Sequence, residues 1–187
     1  VERLVLLSGR GEAEAERCER TVQASGMAWT ILRASWFAQN FSEGFFRELV
    51  LAGEVALPAG LVAEPFVDAD DIADVAVAAL TEGGHAGQLY ELTGPRLLTF
   101  AKAVATIAGA TGRPVRYVPI PVEAFVAALT SQQVPAEAIA LLRYLFTVVL
   151  DGRNAVLADG VRRALDREPH DFAAFARGAA ATGAWSV

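Results

Sequence analysis

Few side chains in this sequence of 187 residues have types and spacings that could do chemistry together. Asp70 and Asp71 are adjacent carboxylates, as a general acid–base pair requires, but they open the apolar repeat Ile72, Ala76, Ala79, Leu80. The N-terminus of a helix accounts for them fully. His85 lies in the glycine-rich stretch Gly83-Gly84-His85-Ala86-Gly87, and His170 follows Pro169 at a helix start; both read as surface or capping residues. Two histidines and one cysteine build no metal-ligand cluster of recognisable spacing. Cys18 reads as an inert small hydrophobe on an inward helix face rather than as a nucleophile. Two stretches remain: Ser8-Gly9-Arg10, and the polar and aromatic segment Arg33-Ala34-Ser35-Trp36-Phe37-Ala38-Gln39-Asn40.

Each stretch directly follows an apolar run. Leu4-Val5-Leu6-Leu7 reads as a strand buried on both faces. Glu12 to Ser25 follows as a helix, with Glu12, Glu14 and Glu16 near the positive end of its dipole, Cys18 and Val22 facing inward and Gly26 as its stop. Met27 to Leu32 is a second buried strand. Strand, helix and strand within about thirty residues make a βαβ unit with parallel strands and a right-handed crossover. Phe37, Phe41, Phe45 and Leu49 recur every four residues, which predicts a helix with an aromatic stripe ended by Gly53. Glu54 to Leu57 is a short extended piece, a helix begins at Asp68-Ala69-Asp70-Asp71, and Gln88 to Leu92 is a third strand.

The second half is predicted to be mostly helical. Thr99 caps a helix carrying Phe100, Val104 and Ile107, and Val115 to Val118 is a strand. Helices follow over Val122 to Leu129, Pro135 to Leu150, Ala158 to Leu165 and Pro169 to Thr182, with Asp151-Gly152-Arg153-Asn154 as a helix-ending turn. The expected division is an α/β domain over residues 1–95 and a mainly helical lobe over residues 96–187. Ligands of open α/β sheets bind beyond the carboxyl ends of the strands. Here those ends are Ser8-Gly9-Arg10 and Arg33 to Phe37.

Composition narrows the function classes. Hydrophobic residues make up 53% and charged residues 20%, so a disordered chain is excluded. A net charge of −6 argues against nucleic acid as a direct partner. The apolar runs are far shorter than the roughly 20 residues of a membrane span. One cysteine excludes an internal disulfide framework. The chain reads as soluble and cytoplasmic. It enters an apolar run directly from Val1, so the first strand is expected to lie inside a larger sheet with something upstream missing; a literal valine start or an unusual edge strand is the alternative.

Several motifs occur in a familiar order: Leu6-Leu7-Ser8-Gly9, a glutamate-rich helix, Ala24-Ser25-Gly26, Trp29-Thr30-Ile31-Leu32-Arg33, Phe37-x-x-Asn40, Phe66-Val67-Asp68-x-Asp70-Asp71-Ile72-Ala73 and Tyr90-Glu91-Leu92-Thr93-Gly94-Pro95. Over about residues 3 to 120 this resembles the NmrA-like branch of the atypical short-chain dehydrogenase/reductases. The resemblance implies an α/β fold in which an incomplete Rossmann-type parallel sheet, binding NADP(H) or NAD(H), carries a mainly helical C-terminal lobe on the substrate side. It implies cofactor contacts from Ser8, Gly9, Arg10, Arg33, Ala34, Ser35, Trp36 and Phe37, and a substrate pocket with Asn40 and Trp36. Ser8 has two readings, a bond to ribose or nicotinamide amide and a cap of the next turn. Arg33 also has two, an approach to phosphate or substrate and an ion pair with an acid.

Two departures qualify what the resemblance implies. The glycine-rich phosphate turn of the family is absent, since Gly9-Arg10-Gly11 is followed by acids that repel a pyrophosphate. Cofactor binding is therefore expected to be weakened or lost in these residues alone. The Tyr-x-x-x-Lys pair of the wider superfamily is also absent: the only lysine is Lys102, and arginine does not release a proton near neutral pH. The implied function is an oxidoreductase acting on a small carbonyl or quinone when complete. The alternatives are a redox sensor that holds the cofactor and reports to a protein partner, and a module that acts through homodimerisation.

Overall fold

The computed structural model describes residues 1–186. In chain order its elements are β1 (Arg3–Gly9), α1 (Ala13–Gln23), β2 (Ala28–Ala34), α2 (Arg47–Leu51), β3 (Glu54–Leu57), β4 (Ala63–Glu64), α3 (Ala69–Thr81), β5 (Gln88–Leu92), β6 (Leu98–Thr99), α4 (Phe100–Thr111), β7 (Arg116–Pro119), α5 (Val122–Ser131), α6 (Ala136–Tyr144), α7 (Gly160–Leu165) and α8 (Phe172–Ala181). A 3-10 turn covers Ala38–Phe41 and a π-helical segment Leu145–Val149. The chain divides into two compact units. One comprises Val1–Gln39, Pro65–Leu97 and Val156–Phe175; the other comprises Asn40–Glu64, Leu98–Ala155 and the residues from Ala176 onward.

The first unit is built on a three-stranded sheet in the order β1-β2-β5. Both pairings are parallel, with Leu6 opposite Ile31 and Ile31 opposite Leu89. The βαβ unit expected from the two apolar runs is thus present, with α1 as the crossover. Side chains alternate between the faces of a strand. Leu32, Ala34, Tyr90 and Leu92 pack with Ile72 and Val75 of α3 and Val161 of α7. Residues of the opposite parity face α1. Gly160 opens α7 where its backbone closes on β5, and a Cβ there would strike the Glu91 carbonyl. Among the described residues β1 has a neighbour on one side only, and Leu7 is 50% exposed.

In the second unit β3 and β7 pair in parallel, and β4 and β6 make a short antiparallel pair. Phe41, Phe46, Phe100, Phe125 and Phe146 form its aromatic core, with ring centroids 5.1 to 6.3 Å apart. The Trp185 indole N–H donates to the Phe41 carbonyl at 2.7 Å. Thr99 caps α4 as its sequence predicts, accepting from the Lys102 amide, and Gly112 ends that helix at φ 67°.

Three local expectations are corrected. The aromatic repeat at Phe37, Phe41, Phe45 and Leu49 does not run along one helix. The chain turns through Ser42-Glu43-Gly44, the Phe46 amide bonds to the Asn40 carbonyl at 3.0 Å, and helix resumes only at Arg47. Phe41, Phe46 and Val50 are buried instead, while Phe45 is 40% exposed. Cys18 points outward on α1, and the buried residue of that helix is Glu19. The helix expected from Pro169 starts at Phe172, where the Asp171 carboxylate accepts the Ala173 amide at 2.8 Å.

Candidate functional site

Ser8, Arg33 and Glu91 are register partners across β1, β2 and β5. Partner residues on neighbouring strands project to the same face, so the three stand in a row near the carboxyl ends. Glu19 reaches that row from α1. The Ser8 hydroxyl donates to Glu19 Oε1 at 2.6 Å, and Arg33 donates from Nε to Oε1 at 3.0 Å and from Nη2 to Oε2 at 2.5 Å. The other end of the Arg33 guanidinium meets Glu91 Oε1 at 3.3 Å. Arg10, from the turn after β1, donates from Nε to Glu91 Oε2 at 3.2 Å, and its Nη1 reaches the Val156 carbonyl at 2.7 Å. Arg10, Glu91, Arg33 and Glu19 thus form a chain of alternating charge that sums to zero.

Burial acts on the Glu19 carboxyl first and pushes it up, but the bonds from Arg33 and Ser8 and the charges of Arg33 and Arg20 more than reverse this. The carboxyl ends below its ordinary value and remains ionised. Its hydrogen bond to Arg33 is in turn the largest influence raising the guanidinium. Glu19 is thus held ionised and Arg33 protonated. What the arrangement does chemically is to fix the arginine side chains at the strand ends.

A pyrophosphate does not fit the turn Gly9-Arg10-Gly11. The space that a Cβ of Gly9 would take is already held by the Glu12 carboxylate, which burial pushes above its ordinary value. A phosphate brought to this turn would meet that side chain rather than a row of free amides.

Beyond β2, the Ser35 amide donates to the Leu92 carbonyl at 3.0 Å and continues the sheet by one bond. The Trp36 carbonyl accepts the Val67 amide at 2.9 Å, and the Ala38 amide donates to the Val67 carbonyl at 2.8 Å. Trp36 and Phe37 are half-buried on this extension. Gln39 then caps α3 together with Asp68: its Nε2 donates to Asp68 at 2.6 Å and its Oε1 accepts the Ala69 amide at 2.8 Å. The structure thus gathers Ser8, Arg10 and Arg33 into one network and sets Ala34 to Phe37 at the end of the same strand. Asn40 belongs to the second unit, half-buried at its 3-10 turn.

Two residues read as bland in the sequence have more specific surroundings. Asp71 is fully buried, accepting Arg167 Nη1 at 2.6 Å and the His170 amide at 2.7 Å, with His170 Nδ1 2.9 Å away. It ties the loop before α8 to α3, a role beyond a first-turn acid. His85 is buried rather than on the surface. Its carbonyl accepts the Thr30 hydroxyl at 2.8 Å, and its Nδ1 lies 2.9 Å from the Tyr90 hydroxyl, so the glycine-rich loop is pinned to β2 and β5.

A model of the NmrA-like family matches residues 14–172. The chain belongs to the NmrA-like family. It is 38% identical over 167 residues to an NAD(P)H azoreductase from Xenophilus azovorans, covering 89% of this chain and 58% of that protein. An NADPH-dependent quinone oxidoreductase from Escherichia coli has the same fold at a TM-score of 0.81 with 20% identity, over 97% of this chain and 68% of that one. NmrA, a negative transcriptional regulator crystallised with NAD, superposes at 0.66 with 16% identity, over 95% and 64%. The chain spans little more than half the length of the first relatives it matches, 58% and 54%. The NmrA-like fold expected from the ordered motifs is therefore present. The acids Glu19 and Glu91 that hold its strand-end arginines were missed. The usable signal was Arg33 itself, because an arginine at the end of a buried strand needs a carboxylate nearby.

Proposed function

We propose that this chain forms part of an NAD(P)H-dependent reductase acting on a small carbonyl or quinone, with the nicotinamide end of the cofactor against Arg33 to Phe37 and the strand end at Ser8 to Arg10. The observation that carries this reading is the 38% identity to an NAD(P)H azoreductase across 89% of the chain. The parallel sheet supports it, since its carboxyl ends are where such folds take ligands.

A bound nicotinamide would supply hydride. The row beneath it would hold the arginines still, and Trp36 would give an apolar wall. The Ser8 hydroxyl is donated to Glu19, and the guanidiniums keep their protons. Water would therefore supply the proton that a reduced carbonyl or quinone takes up. With Glu12 over the turn after β1, these 187 residues alone should bind the cofactor weakly.

The test is NADPH oxidation by the longer protein with a panel of quinones and aldehydes. Turnover with any of them supports a reductase. Cofactor binding without turnover on any acceptor overturns it in favour of a redox sensor. That second reading is favoured by the absence of a Tyr-x-x-x-Lys pair and by the commitment of Ser8 to Glu19.

A cytoplasmic location is part of the same proposal, and homodimerisation is the alternative to it, for a module that acts on its own. An exposed lone thiol suits a reducing compartment. The open side of β1, with Leu7 exposed, suits a second copy. A sedimentation mass of one chain at high concentration would count against the dimer.

A further inference from the structure

The second unit has a cavity of about 610 Å3 between the last turns of α4 and α8, where Arg113 and Arg177 meet Thr111, Ser186 and Trp185. Its size is in the range of small-molecule sites. Its charge is one-sided: two guanidiniums line it and, among the described residues, no carboxylate does. Arg113 is half-buried and, among the described residues, bonds to backbone carbonyls, donating to that of Trp185 at 2.5 Å and to that of Leu51 at 2.9 Å. Those bonds orient the guanidinium, and among the described residues no carboxylate pairs with it.

Both helix ends carry partial negative charge, and the arginines offset part of it. Much of that charge is already answered locally. The Thr111 hydroxyl bonds to the Ile107 and Ala108 carbonyls, and the Gly183 and Ala184 amides bond to the Ala180 and Ala179 carbonyls. With those carbonyls engaged, the remaining guanidinium N–H groups are the strongest donors facing the space.

We infer that this cavity binds a small organic oxyanion, a phosphate monoester or a carboxylate, with Arg113 as the fixed donor and Arg177 as the mobile one closing over it. The alanines of both helices and the edge of Trp185 would pack the organic part. This site shares no residue with the proposed nicotinamide contacts, and its test does not depend on turnover.

Glycerol phosphate and acetate would be titrated into the chain at fixed ionic strength, with calorimetry and thermal unfolding as readouts. Saturable binding of either is expected, and which one binds tells phosphate from carboxylate. Arg177→Gln should weaken that binding about tenfold, the loss of one charge-assisted hydrogen bond. Arg116→Gln, a surface arginine of the same unit outside the cavity, should leave it unchanged. No saturable response to either probe would overturn the inference. So would equal weakening by Arg116→Gln, or unaltered binding in an Arg177→Gln variant whose circular dichroism shows it folded.

Discussion

Glu19 and Arg33 meet through two hydrogen bonds of 3.0 and 2.5 Å, joining the crossover helix to the middle strand of the sheet it spans. The carboxylate is buried and the arginine side chain is 19% exposed, so the pair is shielded from water on the helix side. Glu19→Ala should cost about 3 kcal/mol, the lower end for stripping one partner from a buried pair, because Arg33 keeps some solvent. Ser8→Ala, which removes only the third bond to the carboxylate, should cost about 1 kcal/mol. Urea unfolding of both variants checks this; a Glu19→Ala loss no larger than that of Ser8→Ala would show that the pair contributes little.

Acid should weaken the fold through the same carboxylate. Its folded pKa lies below the ordinary 4.5, so the unfolded chain binds the proton more tightly. The stabilisation is complete above that ordinary value and is lost as pH falls through the lowered one. Unfolding midpoints followed from neutral pH downward should therefore fall below about pH 4.5, and Glu19→Gln should flatten that part of the curve. A variant whose midpoint follows the wild-type curve in parallel would assign the acid sensitivity to other groups.

Asp71 should matter as a tether. Replacing it with Ala leaves Arg167 and the His170 amide without their buried acceptor, at about 3 kcal/mol. Asp71→Asn keeps an acceptor oxygen and should cost about half as much. Hydrogen exchange over residues 166–171 should quicken in both variants, and more in Asp71→Ala. Unchanged exchange there would mean that the loop is held by something else.

Cys18 should react with a thiol reagent in the folded protein as readily as in a short peptide, because it is exposed on α1. Cys18→Ser should shift stability by no more than about 0.5 kcal/mol. Protection of the thiol until global unfolding would contradict the outward orientation of that helix face.

The parallel βαβ core was legible because Leu4 to Leu7 and Met27 to Leu32 are short apolar runs closed by turn residues, a pattern that depends little on distant contacts. Glu19 was not, because helical spacing assigns apolar residues to the inward face, and its partners Ser8 and Arg33 lie 11 and 14 residues away. The phenylalanine repeat misled for a local reason. Gly44 packs against the Asn40 backbone, where a Cβ would come within 3.0 Å of the Asn40 Cα, and that close turn interrupts the helical period. His85 misled in the opposite way: glycine neighbours suggest exposure, yet hydrogen bonds with Thr30 and Tyr90 draw the loop inward.

Four charges of alternating sign that sum to zero cast a field that falls off faster with distance than that of any one of them. A molecule approaching that end of the sheet would feel little long-range pull from Arg10 or Arg33, against an overall net charge of −6 that repels anions. Capture there would rest on shape and apolar contact, and the on-rate of an uncharged aromatic should be nearly indifferent to ionic strength.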